Sequence, residues 1–202
     1  MKPTVTLVIT DLDNTLWDWV EIWSAGFEAM LSVLVSRSGV SREVLESEIR
    51  TVYREHGTSE YAFLIENLPS LQTLHPRECL TDVYDDAIHA YSKARNAVMR
   101  PYPGVVETLE RLKRLGCPVI AYTESMWFYS MRRVKRTGLD GLLQRVYSPP
   151  DHATPADLHR YYDQAEYALD ETEHRTTPPG EKKPNPRILL DIVNDSQADP
   201  PS

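Results

Sequence analysis

Positive charge, cysteine and long apolar runs are all scarce in this chain. Its 22 Lys and Arg stand against 30 Asp and Glu in 202 residues, a formal net charge of -8. No basic field is available to collect a polyanion, which argues against nucleic acid as a ligand. Any phosphate must then be held locally rather than by bulk charge. Cysteine occurs only as Cys79 and Cys117. Two scattered thiols give no disulfide framework and suit a reducing, cytoplasmic setting. The apolar run near the N-terminus is too short for a signal peptide or a membrane span, so no membrane partner is expected. His152, His159 and His174 lack the tight ligand spacing of a zinc site and read as surface or loop histidines. Internal repeats are absent. The biased segments are a Pro-rich stretch near Ser148–Pro155 and a polar tail from Asn194.

What is present is concentrated in Thr6–Asp18, TLVITDLDNTLWD. An apolar, β-branched run of this kind suits a strand buried on both faces of a parallel sheet. Two acids, Asp11 and Asp13, then fall at its C-terminal end, where open α/β sheets bind ligands. One carboxylate at such a place can attack phosphorus. Its neighbour can protonate the leaving oxygen and later take a proton from water. Two carboxylates repel a phosphate dianion, so a cation must offset their charge, and an all-oxygen site favours Mg²⁺.

The DLDNT segment with its apolar lead resembles motif I of the haloacid dehalogenase superfamily. That resemblance implies a Rossmann-like α/β fold with a parallel sheet, with Asp11 as nucleophile and Asp13 as general acid/base. It also implies Mg²⁺ held by the Asp11 carboxylate and the Asp13 backbone carbonyl. True dehalogenases of the family lack an acid at the second position, so Asp13 points to phosphoryl transfer. Thr123, at the end of the apolar strand Cys117–Thr123, resembles motif II, whose hydroxyl binds the transferring phosphoryl group. Glu124 and Ser125 follow and offer backbone N–H groups at a helix start, although Glu124 departs from the small or amide residue usual there. Lys183 in EKKPNP resembles the motif III lysine that steadies the nucleophile and the phosphoryl oxygens, with Lys182 as the alternative. The expected substrate-binding set is Thr123, Glu124 and Lys183.

Between motif I and the second strand, residues 18–98 read as four amphipathic helices, a helical bundle. Trp23, Phe27, Met30, Leu31 and Leu34 form the first apolar stripe, ended by Gly39. Ser41 caps the second helix and Gly57 stops it. A short helix is expected to run up to Pro69, and a fourth from about Pro76 through Tyr91. By position this insertion resembles the family's helical cap, a lid over the site that accompanies small-molecule substrates. The core is then 1–17 with 99–202, re-entered through RPYPG at Arg100–Gly104. Trp17, Trp19 and Trp23 read chiefly as packing residues, with an aromatic substrate wall as the alternative.

Val105–Leu115 is predicted helical. Met126–Thr137 is predicted as a helix whose Arg132, Arg133, Lys135 and Arg136 form a solvated face. Leu142–Tyr147 is a third strand, Ala156–Ala168 a helix, and Arg187–Val193 the helix after motif III. The family's fourth motif, acids completing the Mg²⁺ site, is not found. Asp191 is placed on the last helix, with Asp195 and Asp199 in the tail, and the chain is expected to be a truncated form of a longer enzyme. The reading is a Mg²⁺-dependent phosphatase acting on a small phosphorylated metabolite through an aspartyl phosphate. The alternatives are a catalytically silent binding protein on the same fold and, less favoured, a metal-independent dehalogenase.

Overall fold

Among the described residues four short strands build one parallel sheet in the order β1-β2-β3-β4: β1 (Val8–Thr10), β2 (Val119–Tyr122), β3 (Arg145–Ser148) and β4 (Glu173–Thr176). The computed structural model describes residues 5–151, 168–178, 180 and 182–198. The expected helix at 156–168, His152, His159 and Asp199 therefore lie outside the described residues, except for Ala168. The register sets Thr10 beside Ala121, and Ala121 beside Val146. Alternation then turns Ile9, Ile120, Tyr122 and Tyr147 to one face, where they pack with Ile188 and Ile192. Those two isoleucines belong to α8 (Pro186–Ala198), which covers that face. β2 and β3 are fully buried, as strands covered on both faces must be.

By contact the chain divides into two compact units, Met1–Asp18 with Met99–Ser202, and Trp19–Val98. The second is helical. It holds α1 (Trp19–Ser38), α2 (Arg42–His56), a 3₁₀ turn at Ile65–Asn67, α3 (Pro69–Leu74), α4 (Leu80–Val83) and α5 (Asp85–Val98). Leu31, Leu34, Leu45, Leu68 and Leu71 are completely buried in its core. Gly26, on α1, lies against the Tyr91 ring of α5, so that a Cβ there would stand 2.8 Å from ring carbons. The local stop and start signals operate as read. Gly57 takes a left-handed conformation at φ 64°, and the Ser41 hydroxyl accepts the Val44 N–H.

Two helix boundaries differ from the sequence reading. Pro69 does not end a helix but opens one, at the first helical position, where its missing N–H costs nothing. The helix expected from Pro76 starts at Leu80 and breaks at Tyr84. There the Glu66 carboxylate, 15 residues away in sequence, accepts both the backbone N–H and the hydroxyl of Thr81 at 2.6 and 2.7 Å.

The first unit continues with α6 (Val105–Arg114) and α7 (Trp127–Arg136). The sequence pattern gives no sign of strand β4. His174 lies on it rather than on a loop, stacked on Trp127 at 5.0 Å and 2.8 Å from the Ser148 hydroxyl. α8 also runs past Val193, so Asp195 is helical instead of part of a tail. Its carboxylate accepts the Tyr147 hydroxyl at 2.8 Å and Arg175 at 2.7 Å. The Tyr147 hydrogen bond and the Arg175 charge hold that carboxyl below its ordinary range.

Candidate active site

The strand ends decide where chemistry can occur. Asp11 follows directly on β1, and Thr123 directly on the neighbouring β2. After Asp11 the backbone folds back on itself. Leu16 N–H reaches the Leu12 carbonyl at 2.8 Å, and Asn14 sits in the left-handed region at φ 57°. Asparagine tolerates that region far better than branched residues do, which gives the N of DLDNT a structural reason. The turn is closed by Trp17, fully buried, whose backbone bridges to both Asp13 and Pro101.

The two aspartates meet different cations. The Asp11 carboxylate is 41% exposed and lies 2.7 Å from Lys183 Nζ. Its Oδ1 also accepts the Leu12 N–H at 2.8 Å. Lys183 is fixed from several directions. Nζ donates to the Tyr122 carbonyl at 2.9 Å and sits over the Tyr122 ring at 4.8 Å, while its backbone N–H donates to the Glu124 carboxylate. The Lys183–Pro184 peptide is cis. Asn185 caps the following helix through the Arg187 N–H at 2.9 Å. The KPNP segment thus anchors Lys183 by its stiffness and by the cap behind it.

Asp13 is nearly enclosed, with a side chain 17% exposed, and faces Arg133, which is 4% exposed. Arg133 Nη1 lies 3.2 Å from both Asp13 oxygens and 3.2 Å from the Ser125 hydroxyl. Trp17 Nε1 donates to Oδ1 at 2.7 Å, and the Ser125 hydroxyl donates to Oδ2 in a short contact. Arg133 therefore corrects the reading of the Arg132–Arg136 run as wholly solvated. Its signal was available: Tyr129 and Arg133, like Ser130 and Val134, stand four apart on the buried side of α7. The partnership of Ser125 with Asp13 had no local signal, since the two lie 112 residues apart.

Thr123 is 1% exposed. Its hydroxyl oxygen accepts the Ser125 N–H at 3.1 Å, leaving its own proton for another acceptor. Thr123 makes no direct hydrogen bond to either aspartate; it is linked to Asp13 through Ser125. The structure thus joins Asp11 with Lys183, Lys183 with Glu124, and Asp13 with Thr123 by way of Ser125.

Of the three aromatic residues grouped in the sequence, Trp17 belongs to the sheet unit. Trp19 and Trp23 stack along α1 at 6.1 Å, and Trp23 on Phe27 at 4.9 Å. Desolvation raises the Asp151 carboxyl, beyond the end of β3, above its ordinary range and lowers His174, on β4, below its own.

The oxygens expected to hold a divalent metal are the Asp11 carboxylate, bonded to Lys183 and the Leu12 N–H through Oδ1, and the Asp13 carbonyl. Among the described residues no group of three His, Cys, Asp or Glu side chains gathers as a metal site. That donor set fits a cation held largely by water and substrate oxygens, the habit of Mg²⁺ rather than Zn²⁺.

A family model described as haloacid dehalogenase-like hydrolase matches residues 5–201. Two solved structures align over nearly the whole chain. One is a 2-haloacid dehalogenase from Pseudomonas syringae pv. Tomato DC3000, 18% identical over 97% of this chain and 74% of that one, with a TM-score of 0.54. The other, from Thermotoga maritima, is described as a "putative beta-phosphoglucomutase". It is 21% identical over 97% of this chain and 73% of that one, with a TM-score of 0.51. At these identities the likeness is one of fold. No curated protein matches the chain.

Proposed function

Because the chain belongs to the haloacid dehalogenase-like hydrolase family and is a hydrolase of that fold, we propose that it is a phosphatase acting on a small phosphomonoester through an aspartyl phosphate. The observation that carries this reading is the division of labour between Asp11, exposed beside Lys183, and Asp13, enclosed two residues on by three donors. A nucleophile must reach substrate, whereas a proton carrier must be held still.

In the first step an Asp11 oxygen attacks phosphorus, the bond from phosphorus to the leaving oxygen breaks, and that oxygen takes a proton from the Asp13 carboxyl. In the second, water attacks the same phosphorus and gives its proton to Asp13. The acyl phosphate bond then breaks, returning the Asp11 carboxylate and inorganic phosphate. Lys183 offsets charge on Asp11 and on the phosphoryl oxygens, the Thr123 hydroxyl donates to one of them, and the Glu124 backbone N–H donates to another. The Ser125 hydroxyl donates to the ionised Asp13. Mg²⁺, held by Asp11 and the Asp13 carbonyl, would supply charge neutralisation at the phosphate. Free thiols at Cys79 and Cys117 favour a reducing, cytoplasmic compartment. Among the described residues no helix is long and apolar enough to cross a membrane.

The test is turnover of 4-nitrophenyl phosphate with Mg²⁺ and with a chelator, for the wild type and Asp11→Asn. The reading expects activity lost in the variant and with the chelator. Equal rates in wild type and variant would remove it. A second reading, metal-independent dehalogenation, draws on the Lys183–Asp11 pair, which offsets the nucleophile's charge without any metal. It predicts chelator-resistant halide release from 2-chloropropionate, and Asp13 counts against it.

A further inference from the structure

The geometry points to Arg133 as the residue that positions Asp13 for proton transfer, a role that rests on the phosphatase reading above. Each Asp13 oxygen has one neutral donor of its own, Trp17 Nε1 on Oδ1 and the Ser125 hydroxyl on Oδ2. Among the described residues Arg133 alone straddles the carboxyl, with one nitrogen within 3.2 Å of both oxygens and of the Ser125 hydroxyl. Two neutral donors on separate oxygens still allow the carboxyl plane to rock. A cation bridging both removes that freedom.

The anchor is itself rigid. The Arg133 guanidinium sits 5.8 Å from the Tyr129 ring one turn earlier, and its carbonyl accepts the Thr137 hydroxyl at 2.7 Å. α7 begins a few residues after Thr123, so one helix ties the phosphoryl-binding end of β2 to the proton carrier after β1. A buried arginine in a merely structural role would need only a counterion. Contact with the Ser125 hydroxyl as well, which itself donates to Asp13, fixes the carboxyl and its donor together and marks a positioning role.

The leaving group separates the two possibilities. A nitrophenolate departs with little protonation, whereas an alkoxide needs the full proton from Asp13. In Arg133→Met, kcat on an alkyl phosphate such as glycerol 2-phosphate should fall about a hundredfold, within the range of general acid catalysis. On 4-nitrophenyl phosphate it should fall no more than about fivefold, with KM nearly unchanged for both. Arg133→Lys keeps the buried charge, and with it the fold, but replaces a guanidinium nitrogen steadied beside the Tyr129 ring by a flexible ammonium; it should show the same split at about tenfold. The Trp17 indole N–H resonance should move in both variants, because its acceptor carboxyl is no longer held. Equal slowing of the two esters in Arg133→Lys, or an unmoved indole resonance, would overturn the assignment while leaving the phosphatase reading intact. A wild type inactive on both esters would overturn both.

Discussion

Neutralising either aspartate should have unequal effects on stability, and the structure sets the sizes. A unit charge pair at the 3.2 Å separation of Arg133 and Asp13 interacts by about 5 kcal/mol at an effective dielectric of about 20. Asp13→Asn forfeits most of that attraction. It keeps an amide oxygen for Trp17 and recovers the cost of desolvating the carboxylate, so the net loss falls to about 2–3 kcal/mol. That lies below the ~3–5 kcal/mol of a fully buried pair broken on one side, as befits a carboxylate that is 17% exposed. Asp11→Asn breaks a pair whose members are 41% and 34% exposed, where solvent and salt leave at most about 1 kcal/mol. Urea unfolding of both variants measures the difference. In an Arg133→Met background the cost of Asp13→Asn should shrink, because the charge pair is already gone. Equal losses in the two single variants, or full additivity in the double, would refute the claim that Arg133 and Asp13 form a buried pair.

Other consequences are simpler to check. Desolvation lowers His174, so its neutral form is the one the fold stabilises. That contribution is complete above the unfolded value near 6.5 and is lost as pH falls through the lower folded value. Wild-type stability should therefore decline below about pH 6.5, and His174→Gln should flatten the decline, read by urea midpoints at pH 7.5 and 5.5. Gly26→Ala gains about 1 kcal/mol of helix propensity but drives a methyl to 2.8 Å from the Tyr91 ring. Overpacking at about 1–3 kcal/mol should win, lowering the thermal midpoint of the helical unit; a raised midpoint would show that the ring yields freely.

How much of this was written locally can be judged residue by residue. Strand β2, the stop at Gly57 and the cap at Ser41 need only their neighbours in sequence, and they stand where pattern and capping chemistry put them. The failures share a cause. α4 begins where a remote carboxylate, Glu66, takes the Thr81 donors. α8 runs on to a residue held by Tyr147 and Arg175, 48 and 20 positions away. β4, with the sequence EHRT, has no apolar residue to reveal it. It is recruited by its backbone ladder to β3 and by the Arg145–Glu173 pair at 2.6 Å. Periodicity reports which face of an element is apolar; it is silent on elements secured by long-range polar contacts.

The same distinction divides the site. Motif I is legible because its turn, its left-handed asparagine and its acids lie within a few residues. What it cannot reveal is that its two carboxylates lead separate electrostatic lives. In Asp-Leu-Asp the intervening residue is fully buried, and the acids on either side of it meet partners from different parts of the chain. Asp11 meets a lysine fixed by the Pro-rich segment before α8. Asp13 meets an arginine on the inner side of α7. A lysine at a half-exposed site leaves its carboxylate accessible to an incoming phosphorus, because a compact ammonium bonds one oxygen and leaves the other. A buried arginine bridging both oxygens does the reverse, fixing the acid where it is. Exchanging the two cations, Lys183→Arg with Arg133→Lys, would preserve every charge and reverse both arrangements. It should cost far more activity than stability, and a doubly exchanged enzyme retaining wild-type kcat would show that charge alone, not the shape of each cation, separates nucleophile from proton carrier.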